Sequence, residues 1–98
     1  MFVRVIKSYR DVVAICDSDL LGKKFEEGQF QLDVKESFYK GEEMDEEQTS
    51  NIIIRMSGDD ATFNIVGKKS IALAIDAGII AKEGIKTIQG IPFAMILV

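Results

Sequence analysis

The stretch Phe30-Gln31-Leu32-Asp33-Val34-Lys35 alternates apolar and polar residues without a break. Successive side chains of a strand point to opposite faces, so Phe30, Leu32 and Val34 share a dry face while Gln31, Asp33 and Lys35 share a wet one. A strand wet on one side belongs to a sheet covered on one side, and such sheets are mostly antiparallel. Upstream, Phe2 to Lys7 alternates in the same way and Ser8-Tyr9-Arg10-Asp11 reads as a turn. Val12 to Cys16 is a second apolar run, so the two predict a β-hairpin. Asp17 or Ser18 is then placed to cap a short helical turn through Leu20 and Leu21 that ends at Gly22.

Downstream the period changes. Ser37-Phe38-Tyr39-Lys40-Gly41 reads as a loop. Asp45 is an N-cap with Glu46, Glu47 and Gln48 in the first turn, where acids meet free backbone N–H groups and the positive helix end. Thr49, Ile52, Ile53 and Met56 share one side of that helix, and Gly58 ends it. Thr62-Phe63 is short and extended. Asn64 is predicted to cap a second helix over Ile65 to Ala77, with Ile71, Ala74 and Ile75 as its apolar stripe and Gly78 at the C-cap. Ile85 to Gln89 and Ile91 to Val98 read as closing strands, with Pro92 removing one ladder donor. Strands, two helices and strands again predict an α+β two-layer sandwich. Its sheet is mostly antiparallel, its two main helices lie on one face, and residues 1–98 form a single domain.

The chain has 98 residues with no His and one Cys, Cys16. Structural zinc needs four Cys/His ligands, and a Cys–His nucleophile pair needs the imidazole, so both are excluded within one chain. Cys16 ends an apolar strand beside Asp17; burial and a neighbouring carboxylate both disfavour the thiolate, so it reads as a small core residue. With 12 Lys and Arg against 16 Asp and Glu the net charge is −4, which handicaps general nucleic-acid binding. No apolar stretch is long enough to span a bilayer, and the opening alternation does not read as a signal peptide. The cytoplasm is the expected compartment.

Three segments together carry a family resemblance: Glu36-Ser37-Phe38-Tyr39-Lys40-Gly41-Glu42; Asn64-Ile65-Val66-Gly67-Lys68 running on to Leu73-Ala74-Ile75-Asp76-Ala77-Gly78; and Gly90-Ile91-Pro92-Phe93-Ala94. On these the chain resembles the small archaeal family known as domain of unknown function 424. The resemblance covers nearly the whole chain and implies an archaeal, cytoplasmic, single-domain α/β protein, with no activity attached. The family pattern at the last segment reads Gly-Val-Pro-His-Ala-Gln. Here Phe93 and Met95 stand where that pattern is polar, so chemistry carried over to this segment is in doubt.

Four clusters bear on function. Glu42, Glu43, Asp45, Glu46 and Glu47 crowd one stretch, yet lack the spacing of a calcium loop; a solvated, acid-rich helix start explains them. Gly67-Lys68-Lys69 sets two cations at a helix start, a candidate anion site with Asn64, although the full phosphate-loop pattern is absent. Phe38, Tyr39 and Lys40 interleave aromatics with a cation, as surfaces that stack single-stranded bases do, although packing also explains aromatics there. Phe93 to Val98 is apolar on both faces, which calls for a central strand or for cover by another copy.

The resulting expectation is a small non-catalytic cytoplasmic binding or interaction module, with no catalytic residue, metal or cofactor and with a protein partner or a second copy of itself. An RNA-associated factor using Asn64, Gly67, Lys68, Lys69, Phe38, Tyr39 and Lys40 is the alternative. A carboxylate- or lysine-based enzyme ranks behind it.

Overall fold

The structure, a computed structural model, describes residues 1–97. Its strands are β1 (Phe2–Ile6), β2 (Val12–Cys16), β3 (Lys24–Glu27), β4 (Phe30–Asp33), β5 (Glu42–Glu43), β6 (Thr62–Val66), β7 (Lys86–Ile88) and β8 (Ile91–Leu97). The helices are α1 (Glu36–Tyr39), α2 (Glu46–Gly58) and α3 (Lys68–Asp76), with short 3-10 turns at Ser18–Leu20 and Lys82–Gly84. Six strands form one sheet in the order β5-β1-β2-β6-β8-β7, and β3 and β4 pair separately. Every neighbouring pair is antiparallel except β2 and β6, which run parallel at the centre. The architecture is therefore α+β with a mostly antiparallel sheet.

Strand alternation divides the core. Val13 and Ile15 of β2, Phe63 and Ile65 of β6, and Ala94 and Ile96 of β8 face one side, where Ile53 and Met56 of α2 and Ile71 and Ala74 of α3 cover them. Ala14, Cys16 and Val66 face the other side, where Leu32, Val34 and Tyr39 close over them. The helices thus occupy one face as the sequence predicts, but the β3–β4 ribbon and α1 form a partial third layer on the other. The cover matters energetically: a fully buried Val or Leu side chain contributes about 1.5–3 kcal/mol.

The hairpin of β1 and β2 forms as predicted, and so does α2. Asp45 accepts from the Gln48 N–H at 2.8 Å and the Gln48 side chain accepts from the Asp45 N–H at 3.1 Å, a reciprocal capping box. Four expectations differ. Phe30 is not on the dry face with Leu32 and Val34 but exposed, because it sits at the turn end of the separate β3–β4 ribbon, opposite Glu27. Residues 37–41 are not all loop, since Glu36–Tyr39 makes one helical turn. Lys24–Glu27 is an additional strand, hidden because only Phe25 of its four residues packs inward. Asn64 does not cap a helix: Asn64, Ile65 and Val66 are strand residues of β6, paired with Ala14, Ile15 and Cys16 on one side and with Met95, Ala94 and Phe93 on the other. Burying the β-branched Ile65 and Val66 in a central strand outweighs the local capping signal, and the helix starts at Lys68 instead.

The last strand is neither fully central nor fully covered. β7 pairs only with Ile91–Phe93, so β8 from Ala94 to Leu97 has β6 on one side and no strand on the other among the described residues. Val98, included in the predicted strand, lies outside the described residues.

Candidate functional site

The start of α3 is built across the chain. The backbone N–H groups of Lys69 and Ser70 donate to Asp17 Oδ2 and Oδ1 at 3.1 and 2.8 Å, and the Ser70 hydroxyl donates to Oδ1 at 2.7 Å. Asp17 directly follows β2, and its own N–H donates to the Val66 carbonyl at 3.0 Å. It is 7% exposed. One carboxylate therefore satisfies the free donors of α3, complements its dipole and ties the C-terminal ends of β2 and β6 together. Gly67 makes room for it: φ is +111°, and a Cβ there would overlap the Asp17 carboxylate.

This arrangement recasts the sequence-predicted anion cluster. The N–H donors that an anion would use are engaged by Asp17, and the Lys68 and Lys69 side chains border a cleft of about 780 Å³ that also carries Asp19, Asp45 and Glu46. The charge facing a ligand there is mixed. Of the nearby acids, Glu43 accepts from the Ser18 hydroxyl at 2.9 Å and Asp45 is spent on the capping box. Among the described residues no group of three or more Cys, Asp or Glu side chains is arranged to hold a metal ion.

The remaining predicted residues lie elsewhere. Tyr39 is buried at the hairpin–sheet interface, and Phe38 packs edge-to-face on it with ring centroids 5.0 Å apart. Lys40 is exposed just beyond α1. The Arg4 guanidinium donates to the Ser37 carbonyl, fixing α1 against β1. Tyr39 and Asn64 come together as walls of a second cleft, of about 430 Å³, with Leu32, Val66, Phe93, Met95 and Lys86. So the structure sorts the predicted set into Lys68 and Lys69 at one cleft and Tyr39 and Asn64 at another, with Gly67 serving Asp17. Phe93 and Met95 both line the second cleft.

The titratable groups that move furthest are both held neutral. Burial and the adjacent Asp17 push the Cys16 thiol up to about 11. Burial pushes the Tyr39 hydroxyl up to about 12. Sequence reasoning did not find Asp17 as the tie on α3, because its partners lie 52 and 53 residues along the chain. A Gly–Lys–Lys helix start with no nearby acid was the one signal of a missing cap.

With the fold and clefts described, comparison with known proteins places the chain. The family model described as protein of unknown function (DUF424) matches residues 6–98. The chain belongs to that family. A crystal structure of an uncharacterized conserved protein from Methanopyrus kandleri is similar at a TM-score of 0.85 and 24% identity, covering 98% of this chain and 90% of that one. That likeness shows a shared fold. No curated protein matches the sequence.

Proposed function

We propose that this chain is a small, non-catalytic interaction module that pairs with a second copy of itself along the free edge of β8. One observation carries the reading. The Pro92 carbonyl accepts from the Gly67 N–H at 2.8 Å, so at Pro92 the backbone of β8 points toward β6. Backbone direction alternates along a strand, so Met95 and Leu97 turn their N–H and C=O groups to the open side. Their side chains are 71% and 72% exposed. An apolar strand edge with unpaired donors and acceptors, and no charge or proline between Phe93 and Leu97, lacks the usual devices that block pairing.

Self-pairing fits this edge by symmetry. An antiparallel copy sets Met95 opposite Leu97 of the partner subunit and the reverse, satisfying both outward residues in each copy. The mutual repulsion of two acidic chains is small here, because the edge itself is uncharged. Burial holds the Cys16 thiol in its protonated form, which makes it a poor nucleophile. No helix among the described residues is long and apolar enough to cross a membrane. The cytoplasm is our reading of its place, since a chain with one cysteine draws no intrachain disulfide from an oxidising compartment.

The test is light scattering across a concentration series, with Leu97→Lys as the variant. The unmutated chain is expected to show a concentration-dependent dimer. Leu97→Lys is expected to stay monomeric with its melting temperature nearly unchanged, because an exposed side chain contributes little to folding. A monomer at every concentration for the unmutated chain overturns the proposal.

A further inference from the structure

The second cleft lies on the face of the sheet rather than at its edge, and its chemistry is that of a small-molecule site. It begins where the hairpin cover ends. Alternation puts Asn64 and Val66 of β6 and Phe93 and Met95 of β8 on the same face, with Asn64 beside Met95 and Val66 beside Phe93. Leu32 of β4 and Tyr39 of α1 close one side, and the Gly84–Lys86 segment closes another. The volume, about 430 Å³, falls within the range of pockets that take small organic ligands.

Polar groups in the wall lack protein partners. Tyr39 is 7% exposed, and its hydroxyl hydrogen-bonds no protein group among the described residues. No side-chain oxygen or nitrogen among them is both sealed from solvent and unbonded, so that hydroxyl opens onto accessible space. Among the described residues the Asn64 side-chain amide likewise makes no protein hydrogen bond. Tyr39 lines the cleft, and a hydroxyl with no protein partner is free to donate to a ligand that enters it. Lys86, exposed on β7, adds a cation at the rim. The wall is otherwise apolar: Leu32, Val66, Phe93 and Met95.

We propose that this cleft binds a small amphipathic carboxylate, its apolar body against Leu32, Phe93 and Met95 and its carboxylate received by Tyr39, Asn64 and Lys86. All three polar groups donate: a phenol O–H, an amide NH₂ and an ammonium. The phenol oxygen and the amide carbonyl can also accept, so the preference for an anion over a cation rests on the Lys86 ammonium, which only donates. The hydroxyl, held protonated by burial, keeps its donor across the physiological range. The net charge of −4 works against anions at long range, so specificity has to come from these short contacts. The cleft lies on the face of the sheet and the pairing of β8 uses backbone groups at its edge; Met95 is common to both, so Asn64 and Lys86 are the reporters specific to the cleft.

The experiment compares three amphiphiles of one chain length, below their micelle concentrations: decanoate, decanol and decyltrimethylammonium. Binding is read by calorimetry and by amide and side-chain NMR shifts on the full chain. Decanoate is expected to shift Asn64, Lys86 and Met95 and to bind at least about tenfold more tightly than the cationic probe, the difference that one charge-assisted contact supplies. Tyr39→Phe and Lys86→Ala are each expected to weaken decanoate several-fold while retaining the native NMR spectrum elsewhere. Equal binding of all three probes, shifts centred on exposed Tyr9 or Phe30, or no saturable binding of decanoate overturns the proposal. Because Tyr39→Phe removes only the hydroxyl and Lys86 is exposed, both variants fold, and undiminished decanoate binding by both also overturns it.

Discussion

Replacing Asp17 with Ala removes the carboxylate that caps α3 from β2. Three hydrogen bonds are lost, from the Lys69 N–H, the Ser70 N–H and the Ser70 hydroxyl. Bonds to a charged acceptor contribute about 1.5–3 kcal/mol each, but these share one side chain and do not add. An N-cap substitution alone costs up to about 2 kcal/mol, and the lost dipole contact adds up to about 1. Ser70 is fully buried, so water does not readily replace the missing acceptor. The loss works out to about 3–4 kcal/mol, a large share of the 5–15 kcal/mol typical of a domain. In a domain of this size each 1 kcal/mol moves the melting temperature by about 4–8 °C, so a fall of about 12–30 °C is expected. Asp17→Asn retains one oxygen acceptor and is expected to cost about half as much. The assays are urea and thermal melts by circular dichroism, with hydrogen exchange at the Lys69 and Ser70 amides. An Asp17→Ala chain that melts within about 1 kcal/mol of the unmutated one, with both amides still protected, refutes the reasoning.

Two further outcomes follow from the same region of the core. Gly67→Ala is expected to destabilise by more than about 2 kcal/mol, because it adds both left-handed strain and a clash with Asp17, whereas Gly78→Ala, at φ +76° with nothing within 4 Å, bears only the strain of about 1–2 kcal/mol; equal urea midpoints for the two variants would contradict the clash. Stability is expected to fall on the alkaline side: the unfolded thiol titrates near 9.0 and the folded one at about 11, so between those values the folded state holds more protons and stability declines as pH rises. The shift is about two pH units, up to about 2.7 kcal/mol, all of it present below pH 9. Tyr39 extends the decline toward about 12. Urea midpoints measured from about pH 8 to 11 for the unmutated chain and Cys16→Ala check this, and parallel profiles for the two would show that the thiol is not responsible.

Much of the fold is legible locally. The β1–β2 hairpin and the Asp45 box each involve neighbours in sequence, and each appears where the residues indicate; the alternation from Phe30 does so only in part, since Leu32 and Val34 are buried but β4 ends at Asp33 and Phe30 is exposed. What is illegible depends on distance along the chain. β2 and β6 are parallel, so no turn residue announces their pairing, and the hydrophobic content of Asn64-Ile65-Val66 fits a helix start as well as a strand. The cap of α3 comes from Asp17, a residue that reads locally as the cap of its own short turn. β3 is concealed by its charges. At the second cleft, Asn64 reads locally as a helix cap and Tyr39 reads with Phe38 and Lys40 as an aromatic surface. Only register and packing bring Tyr39 and Asn64 to a common cavity.

The central parallel pair also bears on how the chain is made. β2 leaves the ribosome with β1 as its ready partner, but its other neighbour, β6, is about fifty residues behind, roughly 3–10 s of translation. Hairpins close in microseconds, so for nearly all of that interval the nascent ribbon stands with Val13 and Ile15 bare and one flank open. A nascent chain that ends before residue 62 never gains that partner, and such fragments are expected to be sticky and rapidly degraded.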